Sequence, residues 1–123
     1  PRMFVVPNTQ GNGAILNGSR NNVLVTAGTP AAAGDVVVLF LTGLGRVRNG
    51  PASGLPSGAQ ETETPAQVTI GGRAATVRYS GLAPTFAGLY QVNADVPAGV
   101  SGRVPVVVTI SGASSNQAFL FAQ

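Results

Sequence analysis

The chain has 123 residues, is 44% hydrophobic and only 9% charged, and carries a formal net charge of +3. It contains no His, Cys or Trp, and all seven of its basic residues are Arg. Those absences exclude Ser-His-Asp and Cys-His catalysis, an ordinary zinc site, a Schiff-base or P-loop lysine and a disulfide scaffold.

A chain of this size supports one core without metal or disulfide. The 17 Gly, 9 Pro and many Ser, Thr and Asn give frequent turns and a neutral polar surface, as in all-β extracellular modules. The content of Val and Ile is too high for disorder. The missing cysteines do not fix a redox compartment, since many exported bacterial proteins lack them. The acids are four, Asp35, Glu61, Glu63 and Asp95, and no carboxylate-pair hydrolase is expected from them. The cations are scattered, with only Arg46 and Arg48 as close neighbours. Phosphate binding needs clustered charge, so no nucleic-acid partner is expected. The opening "PRMFVVPNTQ" has one Arg and no long apolar core, so the chain is expected either to have lost a leader or to be a piece of a longer protein. The run "VVVLFL" (36–41) is far too short to span a bilayer, and no membrane insertion is expected.

In chain order, Met3 to Val6 form a short apolar segment. "GAILNGSRNNVLV" reads as a hairpin from Ala14–Leu16 to Val23–Val25, turning at Asn17-Gly18 or at Ser19 to Asn21. "TPAAAGD" is a turn, and "DVVVLFLTG", apolar on both faces, is a central strand. Leu44 to Thr64 is one long irregular stretch, with Arg46 and Arg48 at one end and Glu61 and Glu63 at the other. "AQVTIGGRAATVRY" is a tight hairpin about Gly71-Gly72, with Val68, Ile70, Ala75, Val77 and Tyr79 facing inward. "RVPVVVTISGASSNQAFLFAQ" is a final hairpin turning near Ser111-Gly112. About seven to nine short strands in one domain spanning 1–123 predict a two-sheet β-sandwich. The Cys…Trp…Cys marks of antibody domains are absent.

The segments "PAAAGDVVVLFLTGLG", "VTIGGRAATVRYSGLAPTFAGLYQVNADVPAG" and "VPVVVTISGASSNQAFLFAQ" together resemble a C-terminal domain common on large secreted proteins of acidobacteria. They are also similar to the IPT/TIG domains, the immunoglobulin-like modules of plexins and some transcription factors. The resemblance covers Pro30 to Gln123. It implies an exported, immunoglobulin-like accessory module, secreted or at the cell surface, and supplies no catalytic residue. DNA contact in the transcription-factor branch depends on basic loops that this sequence does not show.

"LYQVNADVP" alternates strictly. Tyr90, Val92, Ala94 and Val96 are expected to face the core, and Leu89, Gln91, Asn93 and Asp95 to face outward. Gln91, Asn93 and Asp95, with Arg46 and Arg48, are the candidate ligand or partner face. Carbohydrate binding there would need exposed rings, and Tyr79 and Tyr90 are both assigned inward. The expected function is therefore a non-enzymatic structural or adhesive module. The alternatives are a carbohydrate-binding module and the subunit of a self-assembling extracellular filament. No catalytic, cofactor or metal residue is expected. An isopeptide staple is impossible without Lys, and a Thr–Gln ester is chemically open but not expected. The terminal segments, through Phe4, Val5, Val6, Phe119 and Phe121, are the expected edges for self-association or for docking a neighbouring domain. The competing expectation is that the first strand pairs beside the last within one sandwich.

Overall fold

The structure, a computed structural model, describes residues 1–45, 61–83 and 89–123. Within them run eleven strands: β1 Arg2–Met3, β2 Leu16–Asn17, β3 Val23–Leu24, β4 Val36–Thr42, β5 Gln67–Ile70, β6 Arg73–Ala75, β7 Val77–Leu82, β8 Tyr90–Asp95, β9 Gly102–Ile110, β10 Ala113–Ser114 and β11 Ala118–Ala122. The number exceeds seven to nine because four of them, β1, β2, β3 and β10, are two-residue pieces at the sheet margins. Between β2 and β3 stands one 3-10 turn, Gly18–Arg20, capped by the Asn17 side chain on the Ser19 amide.

The strands form two antiparallel sheets, so the fold is an all-β sandwich. The first sheet runs β3-β2-β4-β8-β7, with β1 also on β4; the second runs β10-β9-β5-β6, with β11 also on β9. β4 is central, as its apolar character on both faces requires. Val37, Leu39 and Leu41 point into the sandwich and are at most 1% exposed. Val92 and Ala94 of β8 stand beside them in the same sheet, and the second sheet buries Val106 and Val108 of β9, Ile70 of β5 and Leu120 of β11. Burying each of the larger side chains contributes about 1.5–3 kcal/mol.

Two hairpins use the turn that the twist of adjacent strands favours. Gly71 and Gly72 close β5–β6 with φ of 61° and 79°, and Ser111 and Gly112 close β9–β10 with φ of 49° and 82°. Gly71 is required twice over, because a Cβ there would also stand 2.9 Å from Val100 Cγ1.

The expected strand from Ala75 to Tyr79 is not continuous. β6 pairs with β5 in the second sheet, while β7 pairs with β8 in the first. The chain changes sheets at Thr76, whose carbonyl accepts the Asp95 amide at 2.9 Å. A bulge follows: Val77 lies opposite Ala94, but Tyr79 lies opposite Asn93, so Arg78 is an extra residue. One inserted residue reverses every later side chain. Ser80 therefore faces inward opposite Val92, and Tyr79 faces outward, contrary to its assignment from alternation. The inward Ser80 hydroxyl is satisfied by Thr62 Oγ1 at 2.9 Å and by the Ala66 amide at 3.2 Å.

Candidate functional site: the outer face of the first sheet

The outward row of β8 stands where alternation puts it. Gln91, Asn93 and Asp95 are half-buried, while Val92, Ala94 and Val96 between them are closed off from solvent. Register sets the neighbours. Phe40 lies across from Gln91, Val38 from Asn93 and Val36 from Asp95. On the other side Gly81 lies across from Gln91 and Tyr79 from Asn93. Leu24 and Leu16 extend the Val38 row toward the far edge, and Phe4 bonds to the Phe40 carbonyl through its amide at 3.1 Å.

The polar groups on this face are arranged pairwise. Gln91 Nε2 donates to Asn93 Oδ1 at 2.9 Å. Arg78 grips Asp95 twice, Nε to Oδ1 at 2.9 Å and Nη2 to Oδ2 at 2.6 Å. That bidentate contact holds the Asp95 carboxyl below its ordinary pKa. Asp95 is thus a fixed anion with both oxygens engaged, ill-suited to moving a proton. The bulge explains the pair: the extra residue, Arg78, is aimed at the last residue of β8.

Tyr79 is the member of this face that alternation misses. Its hydroxyl donates to the Leu82 carbonyl at 2.6 Å. Gly81, two residues further along the strand, is buried although it has no side chain of its own. Tyr79 also lines a groove of about 160 Å³, with Glu61, Thr62, Pro65, Val77, Arg78 and Ser80. The sequence carries only a faint mark of this arrangement: a Ser-Gly pair after Tyr79 that strict alternation would put half in and half out. Tyr90, by contrast, packs on the core as expected, with its hydroxyl on the Gly45 carbonyl at 2.6 Å.

Arg46 and Arg48 lie outside the described residues. The described margins of their long stretch are docked rather than free: Leu44 is 3% exposed, and Thr62 is 3% exposed with its amide on the Ser80 carbonyl at 2.8 Å.

The terminal segments do not present open backbone edges. β1 pairs with β4, not with the last strand. Next, the Val6 amide bonds to the Asn12 carbonyl at 2.8 Å, and the Ala14 amide to the Phe4 carbonyl at 3.0 Å. The outer edge of β11 is closed by the chain itself. Phe119 bonds through both backbone groups, to the Gly13 amide at 2.8 Å and the Gly11 carbonyl at 2.9 Å. Ala31 takes the Phe121 carbonyl and the Gln123 amide, each at 2.9 Å. Phe119 and Phe121 are half-buried, and Arg103 lies 3.9 Å over the Phe119 ring. What remains exposed at the N-terminal end is side chain: Phe4 is 47% and Val5 36% exposed, with Val23 and Leu24 of the β3 edge at 44% and 38%.

The second carboxylate centre is Asp35. Its Oδ2 accepts from Asn17 Nδ2 at 2.9 Å, the Ala32 amide at 3.0 Å and Arg20 Nε at 3.1 Å. These bonds, the Asn17 amide first, lower its pKa below the ordinary value. They tie the first hairpin to the turn before β4. No group of three or more His, Cys, Asp or Glu residues placed to hold a metal occurs among the described residues, and among them no helix is long and apolar enough to cross a membrane.

The class these features define is an antiparallel two-sheet β-sandwich with one outer face of amides, aliphatic residues and an outward tyrosine. Comparison with protein-family models, with curated proteins and with solved structures finds no match.

Proposed function

We propose that this chain is a non-enzymatic extracellular module of immunoglobulin-like, IPT/TIG type, an accessory domain that gives a larger secreted or surface protein structure or adhesion. The observation that carries the reading is the use made of the polar side chains. Asp35 and Asp95 tie loop to strand and strand to strand. Arg103 pins the segment 9–12, and Asn116 pins β1. These charged and amide groups are turned on the chain itself, as a scaffold requires. The IPT/TIG type is supported by where the resembling segments fall: "GDVVVLFLTGLG" includes β4, "VTIGG" is β5 with its turn, and "VVVTISGASSN" runs through β9 and β10.

Its partner is a neighbouring domain or a second copy. Because the terminal backbone is closed, contact runs through side chains, with Phe4, Val5, Val23 and Leu24 as the exposed apolar anchors. The test is location. An antibody raised against the folded domain is expected to label intact cells or the cell-free culture fluid. Labelling only after lysis refutes the extracellular assignment.

A further inference from the structure

We propose that Asn17-Gly18 is a deamidation site that the folded first hairpin holds inert, and that its reaction, once it occurs, keeps the hairpin from closing again. The inference is independent of the function proposed above.

The site follows from what the hairpin demands. Asn17 caps the 3-10 turn by accepting the Ser19 amide at 3.0 Å. A Cβ on residue 18 would stand 3.3 Å from the Val36 carbonyl oxygen, so glycine fits best there. The two needs together place Asn directly before Gly, the order in which deamidation is least hindered by the following side chain. In that reaction the Gly18 nitrogen loses its proton to water and bonds to Asn17 Cγ. The Cγ–Nδ2 bond breaks and ammonia leaves. Water then opens the five-membered ring at one carbonyl or the other, leaving aspartate or isoaspartate.

The fold blocks the first step in three ways. Asn17 stands at ψ 100°, which by the tetrahedral geometry at Cα turns the Gly18 nitrogen away from the Asn17 side chain. The Asn17 carbonyl accepts the Asn22 amide at 3.0 Å, so that peptide plane is not free to swing round. Asn17 Nδ2 donates to Asp35 Oδ2 at 2.9 Å, and the residue is 3% exposed, so its amide is held from turning and shielded from water. Asp35 is the clamp of the arrangement, since the same oxygen takes the Ala32 amide and Arg20 Nε.

The product accounts for the lock. A carboxylate at residue 17 faces the Asp35 carboxylate where a donor stood, and among the described residues Arg20 is the one cation bonded there. Two like charges in one site repel. Isoaspartate also adds a main-chain methylene, which displaces the chain from its register on Val37 and Val38. An opening that is reversible for the amide becomes permanent for the acid.

Asn12-Gly13 provides an internal control. Asn12 Oδ1 is held by Arg103 and the Gly13 amide by the Phe119 carbonyl, neither of them part of the Asp35 cluster. Cleavage after Arg2 and Arg20 releases both Asn in one tryptic peptide, Met3–Arg20.

The test is mass-spectrometric mapping of that peptide from the chain aged at mildly alkaline pH, folded and in urea. Conversion at Asn17 is expected to be at least about tenfold slower in the folded chain than in urea, because it waits on local opening. In Asp35→Ala, shown by circular dichroism to be folded, it is expected to rise at least about tenfold over the folded parent while Asn12 is unchanged. Equal rates folded and in urea overturn the proposal. So does the absence of a rise in Asp35→Ala, or an equal rise at Asn12, which would report general loosening. Asn17→Asp installs the product directly and decides the matter if Asp35→Ala does not fold. Hydrogen exchange in it is expected to lose protection at Asn22 and Val25, whose amides bond to the Asn17 and Ile15 carbonyls, while β8 and β9 keep theirs. Unchanged protection at those two amides, or a loss spread evenly over β8 and β9, refutes the lock.

Discussion

Asn116 holds Met3 by both of its backbone groups. The Met3 amide donates to Asn116 Oδ1 at 2.6 Å, and Asn116 Nδ2 donates to the Met3 carbonyl at 3.2 Å. A side-chain amide thus does for β1 what a neighbouring peptide unit does inside a sheet. It also joins the two sheets, since β1 belongs to the first and Asn116 lies between β10 and β11 of the second.

Replacing Asn116 by Ala leaves both Met3 groups without this partner. A cost of about 1–3 kcal/mol is expected, because Met3 is buried and its backbone groups must be desolvated unpaired. Chemical denaturation measures the loss. Hydrogen exchange is expected to accelerate at the amides of residues 3–6 before anywhere in β8 or β9. Uniform acceleration would mean that β1 is not held locally by this side chain.

Acid is expected to weaken the fold through Asp35 and Asp95. Both carboxyls have lowered folded-state pKa values, so the unfolded chain binds protons more readily than the native one. Their contribution is complete above the ordinary value of 3.8 and is lost as pH falls through the lower folded values. Melting temperature is therefore expected to hold level from neutrality to about pH 5 and then to fall, the upper limit following from titration beginning about one unit above the ordinary pKa. Asp35→Asn is expected to be less stable at neutral pH and to show a shallower decline in acid. A decline as steep as that of the parent would assign the acid sensitivity elsewhere.

Ser111 stands at φ 49°, in the left-handed region, at the first position of the β9–β10 turn. Asn tolerates that conformation and Ser does not favour it. Ser111→Asn is therefore expected to stabilise the chain by roughly 0.5–1 kcal/mol. In the other tight turn Gly71→Ala is expected to destabilise by more than about 1 kcal/mol, since it adds overlap with Val100 Cγ1 to the same backbone strain. Thermal unfolding of the two variants is expected to move in opposite directions.

Arg103 stacks on Phe119 while its Nε donates to Asn12 Oδ1 at 2.7 Å and its Nη2 to the Gln10 carbonyl at 2.8 Å. Lys keeps the charge but not the planar fork. Arg103→Lys is expected to cost about 0.5–1 kcal/mol through the lost stacking. Exchange at Gly13 is expected to rise, because the segment it belongs to closes the edge of β11. If that edge is what restrains self-association, sedimentation will also show larger species in this variant.

Core-facing rows, turns and the central strand were legible because they follow from short-range rules. Period-two alternation states which of Val92, Asn93 and Ala94 turns inward, whatever the partner strand. Paired positive φ at 71–72 and 111–112 is a demand of two-residue hairpins, and the residues there betray it or come close. The continuous apolar run at 36–41 has to sit where both faces are covered.

What the tertiary structure alone decided depends on register between distant strands. The sheet change at Thr76 and the extra residue at Arg78 are set by how β7 meets β8, and one residue of slip exchanges Tyr79 with Ser80 between surface and core. Closure of the β11 edge by residues 11–13 and 31 joins segments about ninety positions or more apart in the chain. The pairing of Asn116 with Met3 spans 113 positions. Alternation records which side of a strand is apolar. It carries no information on which backbone lies alongside, because every main-chain amide and carbonyl offers the same bond to any partner that folding brings within reach.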